Sequence, residues 1–169
     1  MTALFELAGR GRIRVTGEDR KRLLHAMTTN HVEQLAPGQG CYAFFLNANG
    51  RILSDVLVLA AEDSLLLDVE PESREFVLGH LDKFIIADDV TLADETAAWT
   101  TLAVEGPGAA AVLEAAGIPA PEADFAAVPW AGRLVVKTSF TGQPGYWILV
   151  SPLDAPIVHE ALQIGRAHV

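Results

Sequence analysis

Residues 41–60 read CYAFFLNANGRILSDVLVLA. Two apolar runs, Cys41–Leu46 and Arg51–Ala60, flank Asn47-Ala48-Asn49-Gly50. Asn and Gly both tolerate positive φ, so the stretch predicts an antiparallel hairpin. The second run is apolar on both faces except near Asp55, which alternation sets beside Leu53 and Leu57. A carboxylate in that position is expected to be at least half buried, and burying it without partners is costly. Two readings stay open at this point. Asp55 meets a ligand amine, or it lies on a wet face or pairs with Arg51 two positions away.

Working outward, Arg12–Thr16 alternates as a strand and Glu18–Met27 carries Leu23, Leu24 and Met27 at helical spacing. Ser64–Val69 reads as a third strand beyond the hairpin. Pro71 suits the first turn of a helix running to about Phe84, with Phe76, Leu78, Leu81 and Phe84 or Ile85 inward. After Asp88-Asp89 the pattern restarts. Strands are expected at Val90–Ala93, Thr100–Glu105, Arg133–Ser139 and Gly145–Val150. A helix opens at Pro107 and stops at Gly117, Pro119–Pro129 is loop, and a last helix starts near Asp154. Strands with tight turns interrupted by single helices predict an α+β fold of antiparallel sheets with packed helices. The expected division is a first unit over 1–95 and a second, incomplete one over 96–163. Residues 164–169, Ile-Gly-Arg-Ala-His-Val, correspond to the in-frame translation of a common sequencing adapter and are set apart on that ground.

The formal net charge is −10, unevenly spread. Residues 1–22 hold six basic groups against three acids, and the remainder six against nineteen. So acidic a chain does not suit phosphate-tracking nucleic-acid binding. This short basic arm (Arg10, Arg12, Arg14, Arg20, Lys21 and Arg22) reads first as a solvated strand edge, and second as an arm that steers a small anion. No apolar run nears the roughly 20 residues of a membrane helix, and no signal peptide opens the chain. A cytoplasmic location is the default expectation, and the lone Cys41 requires no oxidising compartment. The histidines share no metal-ligand spacing with Cys41 or each other, so no metal is expected. Gly9-Arg10-Gly11 is no dinucleotide fingerprint.

Taken in order, several short motifs resemble the YgfZ/GcvT family. They are Thr29-Asn30-His31-Val32, Gly38, Tyr42, Asn47 and Asn49-Gly50-Arg51-Ile52 leading to Asp55. Leu81-Asp82-Lys83-Phe84, Val104-Glu105-Gly106-Pro107 and Thr141-Gly142-Gln143-Pro144-Gly145-Tyr146 continue the likeness, which runs from Phe5 to about Leu162. The family includes the glycine-cleavage aminomethyltransferase and YgfZ-type proteins of iron–sulfur cluster maintenance. The resemblance implies a GcvT-type folate-binding domain whose ligand is tetrahydrofolate or a one-carbon derivative. It implies folate contacts at Asp55, at Tyr42 thirteen residues before it, and at Gln143, with Asp55 the catalytic group if the protein is an enzyme. Gln143 and Trp147 stand where the aminomethyltransferase branch carries glutamates. A glutamine offers one acceptor and one donor group, and satisfies only part of what a carboxylate does at a pterin edge. On that departure the expectation is a YgfZ-type protein with iron–sulfur client proteins, whose Lys-Gly-Cys-Tyr-x-Gly-Gln-Glu motif would lie further on. The alternative is an aminomethyltransferase-like enzyme of one-carbon transfer, and a third reading is a non-enzymatic interaction module.

Overall fold

The computed structural model describes residues 1–169. It is α+β, with two five-stranded antiparallel sheets and four α-helices in two compact units. One unit is Gly9–Ala97; the other joins Met1–Ala8 to Ala98–Val169. The first eight residues thus belong with the later part of the chain.

In the Gly9–Ala97 unit the sheet order is β3 (Gly40–Leu46), β4 (Ile52–Ala60), β5 (Ser64–Val69), β2 (Gly11–Thr16), β6 (Thr91–Asp94). The hairpin closes as expected. Asn47 Oδ1 accepts the N–H groups of Asn49 (2.9 Å) and Arg51 (3.0 Å), and Gly50 takes a φ of +77°. Period-two alternation sorts the side chains of the sheet. Ile13, Val15, Ala43, Phe45, Val56, Val58, Leu65 and Leu67 form a dry core with Leu23 and Leu24 of α1 (Arg20–Met27) and Val77 and Leu81 of α2 (Arg74–Phe84). The opposite face carries the charged and phenolic groups.

Two expectations change here. Phe76 points outward, not inward, and of Phe84 and Ile85 it is Ile85 that packs on the core while Phe84 is exposed. Pro71–Ser73 forms a 3-10 turn, and the α-helix begins only at Arg74, which places Val77 and Leu81 on the core face. At successive four-residue steps Phe76 stacks on His80 and His80 meets Phe84 edge-on, with ring centroids 5.2 and 5.4 Å apart. The second change concerns the basic arm. β2 is an interior strand between β5 and β6, and Arg12 is fully buried rather than solvated. A buried guanidinium is kept only with a partner, and Asp68 of β5, opposite Arg12 in register, supplies it.

In the second unit the order is β1 (Ala3–Leu7), β7 (Thr100–Glu105), β10 (Gly145–Val150), β9 (Arg133–Val136), β8 (Ala127–Trp130). Leu102, Val104, Tyr146 and Ile148 pack against Val112 and Leu113 of α3 (Ala109–Ala115) and Val158 and Leu162 of α4 (Ala155–Ala167). β1 has no counterpart in the sequence reading, and β8 occupies the end of the expected loop. α4 continues through Ile164–Ala167, and Gly165 is buried against α3, where a Cβ would lie 2.7 Å from the Val112 carbonyl oxygen.

Gly106 follows β7 with a φ of +137°, and a Cβ there would meet Met1 O at 2.5 Å and Thr2 Cα at 2.7 Å. Both obstacles are backbone, so neither can swing aside. Gly106→Ala is expected to cost about 1–3 kcal/mol through strain and displacement of the β1 end. Urea unfolding checks this, and an unchanged midpoint would exclude the close approach.

Candidate functional site

Tyr42 and Asp55 lie on neighbouring strands of the hairpin. Tyr42 is paired with Leu57 and Phe44 with Asp55, so the phenol and the carboxylate are diagonal neighbours on one face. Tyr42 Oη donates to Asp55 Oδ2 at 2.5 Å. Asp55 is partly buried and Tyr42 partly exposed, so the pair stands at the surface of the sheet with its outer side open. Partial desolvation, and after it the bonded carboxylate, push the Tyr42 pKa to about 12. The phenol therefore keeps its proton at neutral pH and acts as a fixed donor. Asp55 uses one acceptor position on Tyr42 and retains others for a ligand.

The segment before β3 fixes the strand that carries Tyr42. Thr29 donates its N–H to the Phe44 carbonyl (3.1 Å), and its hydroxyl accepts the Phe44 N–H (3.0 Å). Asn30 Nδ2 donates to the Tyr42 carbonyl at 3.0 Å. The Thr29-Asn30 motif thus covers the outer edge of β3, which would otherwise present unpaired backbone groups.

Beside this pair runs a charged network that sequence reasoning missed. Asp68 accepts from Arg12 Nε and, at 3.0 and 2.5 Å, from Arg10 Nε and Nη2. Arg10 Nη1 also reaches Glu70 Oε1 at 3.0 Å. Burial works against the Arg10 charge, but Asp68 and Glu70 outweigh it and hold its pKa above the ordinary value. The signal was available in the sequence: Arg10, Arg12 and Arg14 alternate along one strand, Asp68 and Glu70 along another, and antiparallel pairing sets the rows face to face.

A recess of about 700 Å³ opens in the same unit, lined by Arg22, Met27, Leu46, Leu53, His80 and Phe84 among others. Neither Tyr42 nor Asp55 lines it. Its Arg22 guanidinium is already paired with Asp19 and Asp88.

Gln143 lies in the other unit, exposed on the turn before β10. The anchor of that turn is Glu105, another group the sequence reading did not single out for a role. Its buried carboxylate accepts Phe140 N–H (2.8 Å), Thr141 N–H (2.8 Å), the Thr141 hydroxyl (2.7 Å) and Trp147 Nε1–H (3.0 Å). Burial pushes the Glu105 pKa up, and the four donors together bring it below its ordinary value. Trp147 of β10 is thus bonded to the carboxylate at the end of the neighbouring strand β7.

Residues 1–167 match the GCVT N-terminal domain, and the chain belongs to that family. It is 29% identical over 163 residues to the aminomethyltransferase of Rubrobacter xylanophilus, an alignment covering 90% of this chain and 43% of that protein. The glycine cleavage system aminomethyltransferase T of Bartonella henselae superposes with a TM-score of 0.85 at 25% identity, over 95% of this chain and 45% of that one. A heterotetrameric sarcosine oxidase chain from Corynebacterium shares the fold, with a TM-score of 0.71 at 21% identity over 99% of this chain and 84% of its own. The chain thus spans less than half the length of the aminomethyltransferases it matches. No helix is long and apolar enough to cross a membrane.

Proposed function

We propose that this domain binds tetrahydrofolate or a one-carbon derivative and serves aminomethyltransferase-like one-carbon transfer. The observation that carries the reading is the Tyr42–Asp55 pair, a carboxylate oriented by a protonated phenol on the open side of the sheet. The names of the relatives support one-carbon transfer over the iron–sulfur reading. A fixed carboxylate accepts a hydrogen bond from the folate nitrogen that takes up the one-carbon unit. It also stabilises positive charge as that charge develops there. Tyr42 keeps Asp55 in place and offers its ring as a packing surface.

A YgfZ-type role remains the second reading, on one observation. Trp147 and Gln143 replace the glutamates of the aminomethyltransferase branch, and Trp147 is bonded to Glu105. Cytoplasmic iron–sulfur proteins would then be the clients.

Asp55→Asn keeps shape and size while removing charge. It is expected to weaken tetrahydrofolate binding by about 1.5–3 kcal/mol, roughly tenfold to a hundredfold, and Tyr42→Phe by less because the ring remains. Calorimetric titration of the three proteins tests this. A normally folded Asp55→Asn protein that binds folates as tightly as wild type would remove Asp55 from the site, and no folate binding at all would leave the interaction-module reading.

A further inference from the structure

The chain holds three asparagines, Asn30, Asn47 and Asn49, and the side chains of the first two are held in hydrogen bonds. Asn30 donates from Nδ2 to the Tyr42 carbonyl at 3.0 Å, and its Oδ1 accepts the His31 N–H at 2.8 Å. Asn47 Oδ1 accepts the N–H groups of both Asn49 and Arg51. The Asn49 side chain makes no such bond and is exposed, and Asn49 alone of the three is followed by glycine. Gly50 is exposed as well, takes a φ of +77°, and has no Cβ to crowd its nitrogen. A main-chain nitrogen attacks the preceding asparagine side chain most readily when neither group is hindered. Both conditions meet at the tip of the β3–β4 turn and at neither other asparagine.

We infer that Asn49 is a site of spontaneous deamidation, and that Asn47 restrains the reaction by holding the turn closed. The Gly50 nitrogen gives its proton to hydroxide and bonds to Asn49 Cγ. The Cγ–Nδ2 bond breaks, and the amide nitrogen leaves as ammonia after taking a proton from water, which restores the hydroxide. Water then opens the cyclic imide. Addition at Cγ leaves aspartate, and addition at the main-chain carbonyl leaves isoaspartate, with the backbone now running through Cγ. The balance is a water consumed and an ammonia released, and loss of the ammonia makes the step one-way. In the closed turn the Gly50 N–H donates to the Asn47 carbonyl at 3.0 Å, so attack waits on local opening. Isoaspartate inserts a methylene into the backbone between Asn47 and Arg51. These two residues close the hairpin, through Asn47 N–H to the Arg51 carbonyl at 2.9 Å and Arg51 N–H to Asn47 Oδ1 at 3.0 Å. The longer backbone puts that pair out of register, on the hairpin that carries Tyr42 and Asp55.

The test ages the folded protein at mildly alkaline pH. Peptide mass spectrometry reads the amide-to-acid mass gain at each asparagine, and an isoaspartate-specific methyltransferase labels the rearranged product. Asn49 is expected to convert well ahead of Asn30 and Asn47, with isoaspartate among its products. Gly50→Ala should slow conversion severalfold, and its Cβ would meet no neighbouring atom, so the hairpin can still form. Asn47→Ala, which removes two hydrogen bonds from the turn, should speed conversion by roughly threefold to tenfold. Amide exchange at Arg51 should be faster in the isoaspartyl form than in the unaged protein. Conversion at Asn30 or Asn47 as fast as at Asn49, or an unchanged rate in Gly50→Ala, overturns the assignment of Asn49. An unchanged or slower rate in Asn47→Ala overturns the restraint, and unchanged exchange at Arg51 overturns the effect on the hairpin.

Discussion

Asp68→Ala is expected to destabilise the protein by about 3–5 kcal/mol, the largest effect of any substitution considered. Asp68 is 1% exposed and neutralises Arg12, also 1% exposed at its side chain, and Arg10 beside it. Removing the anion takes the carboxylate from the buried Arg12 guanidinium and one of two carboxylates from the nearly buried Arg10 beside it. The ion pairs need not contribute net stability for this to hold. Replacing Arg12 and Asp68 together by methionine and leucine is expected to cost less than Asp68→Ala alone, because the fully buried guanidinium goes with its anion and Arg10 keeps Glu70. Urea unfolding of the single and double variants separates the cases. A single variant within about 1 kcal/mol of wild type would show that water reaches Arg12.

Glu105→Ala follows, at about 3 kcal/mol. The exposed Thr141 turn can recover water for its donors, but Trp147 Nε1–H is buried and cannot. The depressed pKa of Glu105 also fixes a pH dependence. The folded state favours the ionised carboxylate more than the unfolded state does. Its contribution is therefore complete above the ordinary glutamate range, near pH 4.5, and disappears as pH falls through the lower folded pKa. Glu105→Gln should show a shallower loss of stability in acid than wild type. Thermal melts from pH 7 down to about pH 3 check the slope, and parallel curves would mean that Glu105 titrates alike in both states.

What the sequence revealed depended on how local each signal was. Ser64–Val69, Thr100–Glu105 and Gly145–Val150 match their strands residue for residue, because each is a short apolar run bounded by turn residues. β1 went unseen because five mixed residues become a strand only by pairing with Thr101–Glu105, almost a hundred positions away. Asp55 was read from its own strand and Tyr42 from the family resemblance, and the hairpin turns their thirteen-residue separation into diagonal contact. Asp68 and Glu105 were not singled out for a role. Each is a lone acid in an apolar strand, and its meaning comes from donors brought in by non-local pairing or by a distant turn. The arginines of β2 were misread for the same reason: whether a strand is at the edge or interior depends on partners its own sequence does not contain.

The hydrogen bonds at the mouth of the Gly9–Ala97 unit bear on the order in which the chain folds. Glu95 donates its N–H to the Arg12 carbonyl at 2.7 Å, and Arg12 donates its own to Thr96 Oγ1 at 3.1 Å. Entry and exit strands are thus tied together where the inserted unit begins and ends. If residues 9–97 were still loose, bringing Leu7 to Thr101 would carry a loop-closure cost of roughly 4 kcal/mol. Once that continuous unit has folded, Ala8 and Ala98 emerge as near neighbours and most of the cost is gone. Folding of the inserted unit would therefore lower the cost of pairing β1 with β7 in the discontinuous one.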